Sequence, residues 1–323
     1  MACLLCGMGR TLGIAAMPRL IEAKLTRGGR ALARSEDPTE DLVTRGVARI
    51  NGVLPRELCE RLKLHCGELR RRTADAETQK WAVWMGASDD RFVPGTRLRY
   101  CDALEQRLTS NRYDFLLPLE DRVVAEALGV AAGAAAATLR GAAKCLPGPD
   151  DGRDLELVEC GLLVSSHGAG HQRLHADFRR DGDAATERGA MPPRLVTFVY
   201  LQDTPTAKHG PTGFLPGTAN AKAHDQVLFP NNTVRDAALD RQAELATCDA
   251  GDAVLYDASV LHWGASNRMP ANDRVVFYLG VSKAGAAAKC AGPPPQGQTP
   301  SPPVSLAAYA AGPPGQFPGP GPG

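Results

Sequence analysis

His175-Ala176-Asp177 and His262, which lies 85 residues beyond Asp177, are the side chains here whose types and spacing suggest metal chemistry. Two imidazoles and one carboxylate can occupy one face of an octahedral Fe(II) and leave three positions open for ligands and O2. The His-x-Asp spacing suits that task, because alternate residues of an extended segment point the same way. Arg274 follows His262 by twelve residues, at the head of the apolar run Arg274–Gly280. A guanidinium inside a barrel needs an anion, and its fork matches a carboxylate through two bonds. Each residue has a plainer reading. His-x-Asp is a common hydrogen-bonded surface pair, His262 beside Trp263 could be a satisfied core histidine, and Arg274 could form a structural ion pair with Asp257 or Asp273. His167, His171 and His175 would align as zinc ligands on a helix, but Gly168 and Gly170 within that stretch argue against one.

The elements that must position these residues fall into two textures. Leu155–Ser166, Leu195–Gln202, Thr212–Leu215, Ala253–Tyr256, Val260–Trp263 and Arg274–Ser282 are short segments rich in leucine, β-branched and aromatic residues, separated by Gly, Pro, Asp and Asn. The part before them reads as helical. Pro55 suits a first helical turn, and Leu58, Leu62, Cys66 and Leu69 follow at helical spacing. A second helix is expected over 119–144, weakened by Gly129, Gly133 and Gly141. Strands after a helical third, without βαβ alternation, predict an antiparallel barrel or jelly roll braced by helices. Neither GxGxxG nor GxxxxGK[ST] is present, so nucleotide binding has no support, and no GxSxG marks a serine nucleophile.

The ends differ from this middle. Residues 1–40 form a basic N-terminal segment: the first 34 carry six basic side chains and one acid, Glu22. Such a segment is expected to be ragged or to act as an organelle transit peptide, although its first 34 residues hold no serine. The expected location is cytoplasmic, or mitochondrial or plastid if residues 1–34 are a transit peptide. Residues 291–323 hold 11 of the 25 prolines and 7 of the 34 glycines and are expected to form a disordered tail. Pro300-Ser301-Pro302-Pro303 fits PxxP, a weak pointer to an SH3 or WW partner. The folded unit is placed at 41–290, helical over 41–150 and jelly roll over 151–290. Thirty-seven basic against 36 acidic residues leave a net charge of +1, which predicts no nucleic-acid partner. Hydrophobic residues at 43% suffice for a core, and no apolar run is read as a membrane span. Nine widely spaced cysteines, with Cys3-x-x-Cys6 the one CxxC, form neither a disulfide framework nor a paired zinc site.

The ordered set Gln172-x-x-His175-x-Asp177, Gly210-Pro-Thr-Gly-Phe-Leu-Pro-Gly217, Gly251-Asp-Ala-Val-Leu-Tyr-Asp257, His262-Trp-Gly-x-x-Asn267 and Asp273-Arg274 resembles the phytanoyl-CoA dioxygenase-like family of Fe(II)/2-oxoglutarate oxygenases. The resemblance spans about 155–283 and extends weakly to Gly46–Leu69. It implies a mainly β, cupin-like double-stranded β-helix, with His175, Asp177 and His262 as iron ligands. It also implies that Arg274 binds the far carboxylate of 2-oxoglutarate and that Gln172 stands near the metal. Fe(II), with 2-oxoglutarate and O2 as cosubstrates, would hydroxylate a small or lipid-like molecule and release succinate and CO2. The family often has a histidine just after the Pro-Gly-Ser/Thr turn, where this chain has Ala219; His224 lies nearby. Asp177 favours hydroxylation over halogenation, since related halogenases carry a small residue there. A non-catalytic jelly-roll binding protein with a proline-rich interaction tail is the rival reading.

Overall fold

A computed structural model describes residues 29–74, 97–99, 111–117, 119, 121–146, 154–172, 174–177, 193–228, 238–239, 242–285 and 305–310. Most of the basic N-terminal segment, Cys3-x-x-Cys6 and the PxxP stretch lie outside them. In chain order the elements are β1 (Arg30–Ala31), α1 (Pro38–Thr44), β2 (Val47–Ile50), α2 (Arg56–Ala74), β3 (Arg97–Arg99), β4 (Arg112–Leu116) and α3 (Arg122–Ala142). There follow β5 (Leu155–Ser166), β6 (Leu195–Tyr200), β7 (Thr212–Phe214), α4 (Ala221–Leu228), β8 (Glu244–Leu245), β9 (Ala253–Asp257), β10 (His262–Gly264), β11 (Asp273–Lys283) and α5 (Leu306–Ala310).

Two sheets face each other as a jelly roll. One runs β2-β9-β6-β11-β5-β4-β3 and the other β1-β8-β7-β10. Alternation along the central strands sorts side chains between two cores, as a period of two requires. On β6, Val196, Phe198 and Tyr200 point into the barrel with Phe214, Val254, Tyr256, Val276 and Tyr278. Leu195 and Val199 point to the back, against Val124, Leu128 and Leu139 of α3. β11 divides the same way, with Val276 and Tyr278 inward and Phe277 and Leu279 outward. With both faces covered, all six residues of β6 are buried, which accounts for its continuous apolar sequence.

The helix α3 begins at Asp121, whose carboxylate accepts from the Val123 and Val124 amides and so caps the first turn. With Ala143–Cys145 appended it reaches 24 residues and holds an 18-residue window of mean hydropathy 1.4, long and apolar enough for a membrane span by composition. Its apolar face is instead spent on the back of the large sheet, and its many alanines let it pack closely there.

Two features depart from the sequence reading. β3 and β4 lie in the stretch read as helical, and β4 extends the large sheet along the edge of β5. Strands of three and five residues carry too little periodicity to be recognised without their partner. Residues 305–310, assigned to the disordered tail, are docked. Ser305 bridges to Glu156, the Ala307 amide donates to Asp154 Oδ2 at 2.6 Å, and Leu306 and Tyr309 are buried beside α3. Two large apolar side chains, Leu306 and Tyr309, anchor this piece within a proline- and glycine-rich stretch of sequence. As Gly168 and Gly170 led one to expect, the described residues of the His167–His175 stretch form no helix, so they do not line up a row of zinc ligands.

Candidate active site

The strand β10 brings His262 into the barrel, paired with β7 in the register His262↔Phe214 and Gly264↔Thr212. On its other edge His175 forms an isolated antiparallel bridge with His262. The His175 amide donates to the His262 carbonyl at 3.0 Å, and the His262 amide donates back at 2.8 Å. Two residues 87 positions apart are thus locked side by side by backbone pairing, with ring centroids 4.4 Å apart. Asp177 stands two residues on. Its Oδ1 lies 3.8 Å from His175 Nε2 and 3.7 Å from His262 Nε2. One ligand atom from each of the three residues falls within 4.8 Å of the others, so the group could hold a metal ion.

The protonation of this cluster suits a cation. His262 Nδ1 lies 2.9 Å from the Val260 carbonyl, which can only accept, so Nδ1 carries the proton and Nε2 presents its lone pair toward Asp177. Burial, and then the neighbouring His175, push the His262 pKa down to about 4, keeping the imidazole neutral at pH 7. Burial acts to raise the Asp177 carboxyl, but His262, Arg194 and His175 outweigh it and the net shift is downward. Tyr256 donates to Asp177 Oδ2 at 3.4 Å.

Short-range packing fixes where β10 sits. Trp263 is fully buried and lies flat over Gly213, where a Cβ would stand 2.2 Å from the indole ring. Gln172 accepts from the Gly264 amide through Oε1 at 2.9 Å, and its backbone N–H donates to the Gly264 carbonyl at 2.9 Å. Gln172 therefore holds the strand two residues beyond His262. Asn267 Nδ2 donates to the carbonyls of Ser165 and Asn272, pinning the turn from β10 into β11. His224 is buried on α4 and its Nε2 lies 2.7 Å from the Ser259 carbonyl, in the turn that leads to His262.

Arg274 is 3% exposed, and its Nη1 donates to Thr212 Oγ1 at 3.1 Å. Thr212 sits opposite Gly264, one side-chain repeat along the strand from His262, on the same inward face. The Thr212 amide donates to the Tyr200 hydroxyl. Ser165, directly across from Arg274 in the β5–β11 register, is fully buried, and its hydroxyl has no partner among the described residues. A buried hydroxyl in that condition fits a site built for a ligand acceptor. Arg274, Thr212, Ser165 and Tyr200 together can receive a carboxylate.

Of the five residues singled out in the sequence, His175, Asp177 and His262 meet directly, while Gln172 and Arg274 reach the same strand pair through Gly264 and Thr212. Thr212, Ser165, Tyr200, Tyr256, Glu159 and Arg194 were not singled out. Thr212 and Tyr256 stood inside two of the family motifs, and Glu159 was the one charge in an otherwise apolar central stretch of β5; Ser165, Tyr200 and Arg194 carried no signal.

Residues 42–275 match the family model described as phytanoyl-CoA dioxygenase. The chain belongs to the phytanoyl-CoA dioxygenase family. It is accordingly an Fe(II)/2-oxoglutarate-dependent oxygenase, with O2 as the second cosubstrate. Similar solved structures include the non-heme alpha ketoglutarate dependent epimerase SnoN from nogalamycin biosynthesis, at 16% identity, 77% of this chain, 83% of that one and a TM-score of 0.47. HygX from Streptomyces hygroscopicus, with nickel and 2-oxoglutarate bound, is 15% identical over 78% of this chain and 88% of its own, with a TM-score of 0.48. EctD from S. alaskensis, with bound Fe, is 15% identical over 81% and 82%, with a TM-score of 0.49. The comparison with curated proteins finds no match.

Proposed function

We propose that this phytanoyl-CoA dioxygenase family member is a hydroxylase of a small or lipid-like molecule, with His175, Asp177 and His262 as its iron ligands and Arg274 as its anchor for 2-oxoglutarate. The observation that carries the reading is the meeting of three ligand atoms within 4.8 Å on the strand that, one repeat further, faces Thr212 and Arg274. When bound, Fe(II) and 2-oxoglutarate supply O2 activation, in which the keto acid is decarboxylated to succinate and one oxygen atom goes to a substrate C–H bond.

The chain's own residues orient and exclude. Neutral His262 offers Nε2 because its Nδ1 proton is held on Val260. Backbone bonds to His262 keep His175 in place on the neighbouring strand. Arg274 and the Ser165 hydroxyl would hold the far carboxylate of 2-oxoglutarate, since the guanidinium already reaches Thr212 and the hydroxyl across from it has no partner among the described residues. Phe198, Phe214, Tyr256 and Tyr278 form a buried aromatic cluster against His262, which would keep water from that side of the metal. Asp177 supports oxygen transfer over halogenation, because its carboxylate takes the place a halide would need.

The test is an anaerobic titration of the metal-free protein with Fe(II) and 2-oxoglutarate, following the visible metal-to-ligand charge-transfer band. The wild type develops the band, His175→Ala abolishes it and Arg274→Ala weakens it. A folded, iron-loaded wild type without the band would overturn the reading. A positive result leads to a substrate screen by succinate release and product mass.

A further inference from the structure

The inward faces of the barrel are mostly apolar and aromatic, and one buried ion pair interrupts them. Glu159 on β5 and Arg194, just before β6, are 4% and 7% exposed and meet Nε to Oε1 at 3.0 Å. Room for them is made by a glycine. Gly280 lies opposite Glu159 in the β5–β11 register, and a Cβ there would stand 2.8 Å from Glu159 Cγ and 3.4 Å from Arg194 Cδ. The register of β11 shifts at that point, between Gly280 and Val281. Dehydrating two ions costs several kcal/mol each, and an apolar pair of equal volume is often at least as stable. Stability alone is therefore a poor reason for this pair.

Reach supplies a better one. Arg194 Nη2 lies 3.9 Å from Asp177 Oδ2, the oxygen that also accepts from Tyr256. The other oxygen, Oδ1, faces both imidazoles. The arginine is shared unequally, close to Glu159 and farther from Asp177. We propose that Arg194 is a positioning residue for Asp177 and that Glu159 sets its reach: with Tyr256 it occupies Oδ2, so that Asp177 offers a dication Oδ1 alone, while the hold of Glu159 stops the guanidinium from closing on the carboxylate and displacing the metal. The proposal rests on the reading of His175, Asp177 and His262 as metal ligands.

Co(II) is the probe, because its visible spectrum reports binding and coordination without turnover. Wild type, His175→Ala, Glu159→Gln, the double variant Glu159→Gln/Arg194→Met and Tyr256→Phe are titrated, with circular dichroism to show that each is folded. Glu159→Gln frees the arginine to pair with Asp177, and Co(II) affinity falls roughly tenfold or more, the scale on which a contacting cation shifts a carboxylate. The double variant removes the competing cation and the buried charge together, and recovers most of that affinity with an altered visible band. Tyr256→Phe keeps the ring in its aromatic cluster and loses about fivefold or less, the scale of one hydrogen bond. The proposal is overturned if Glu159→Gln binds Co(II) as tightly as wild type, or if the double variant binds no better than Glu159→Gln. Should either fail to fold, a Tyr256→Phe protein with wild-type affinity and spectrum would overturn it. If wild type and His175→Ala bind alike, the metal reading itself fails, an outcome separate from a dead His175→Ala beside an unweakened Glu159→Gln.

Discussion

In the large sheet β11 pairs with β5 over eleven residues and with β6 over six, whereas in the small sheet β10 meets β7 over three and β8 meets β7 over two. The long strands are held by their ladders and by packing on two faces. The short ones are held by side chains: Trp263 over Gly213, Gln172 on Gly264 and Asn267 on the turn that follows. Both imidazoles lie on the small sheet and its edge, while Arg274 comes from the large one. The contrast teaches that stability and metal geometry are borne by different sets of contacts, and that they should separate under mutation.

The widest separation is expected from Phe277→Ala. That side chain is fully buried on the helix-covered face of β11. Its loss should cost about 3–5 kcal/mol in urea unfolding, while the folded fraction binds Fe(II) and 2-oxoglutarate as wild type does. A matching loss of metal affinity would break the division between the sheets. Gly213→Ala should do the reverse. Its Cβ displaces the indole next to His262, at a stability cost of about 1–3 kcal/mol, and should weaken metal binding more than Phe277→Ala does. Equal affinity in the two variants, measured by anaerobic titration, would show that Trp263 does not set the position of His262.

The smallest effect is on pH dependence. Burial first, then Arg268 and Arg112, lower the pKa of His171 from 6.5 to about 4. The unfolded chain takes up this proton near 6.5 and the folded chain near 4. The neutral ring therefore contributes stability above pH 6.5, and that contribution is lost as pH falls toward 4. Metal-free wild type should show a lower urea midpoint at pH 5 than at pH 7, and His171→Gln a smaller difference. The same difference in both would locate the acid sensitivity elsewhere, with His262 the next residue to replace.

Much of this was legible in the chain itself. The six strands read from composition are all present, β5 with the bounds expected of it, because central strands covered on both faces must be apolar throughout. The helix expected over 119–144 forms as α3, since its glycines are outnumbered by alanines packed on the sheet. β3, β4 and β8 escaped notice because two to five residues hold no period. The docked Ser305–Ala310 escaped because its contacts, with Asp154, Glu156 and α3, are about 150 residues or more away along the chain.

The sequence by itself determined the types and order of the candidate metal ligands and the kind of scaffold that could gather them, because covalent spacing and side-chain alternation are local properties. Which oxygen of Asp177 faces the imidazoles was decided only in three dimensions. So were the hydroxyl of Ser165, without a partner among the described residues and across from Arg274, and the placing of Arg194 near both Glu159 and Asp177. Those facts depend on the register of strands far apart in the chain, and register is a property of the folded sheet as a whole.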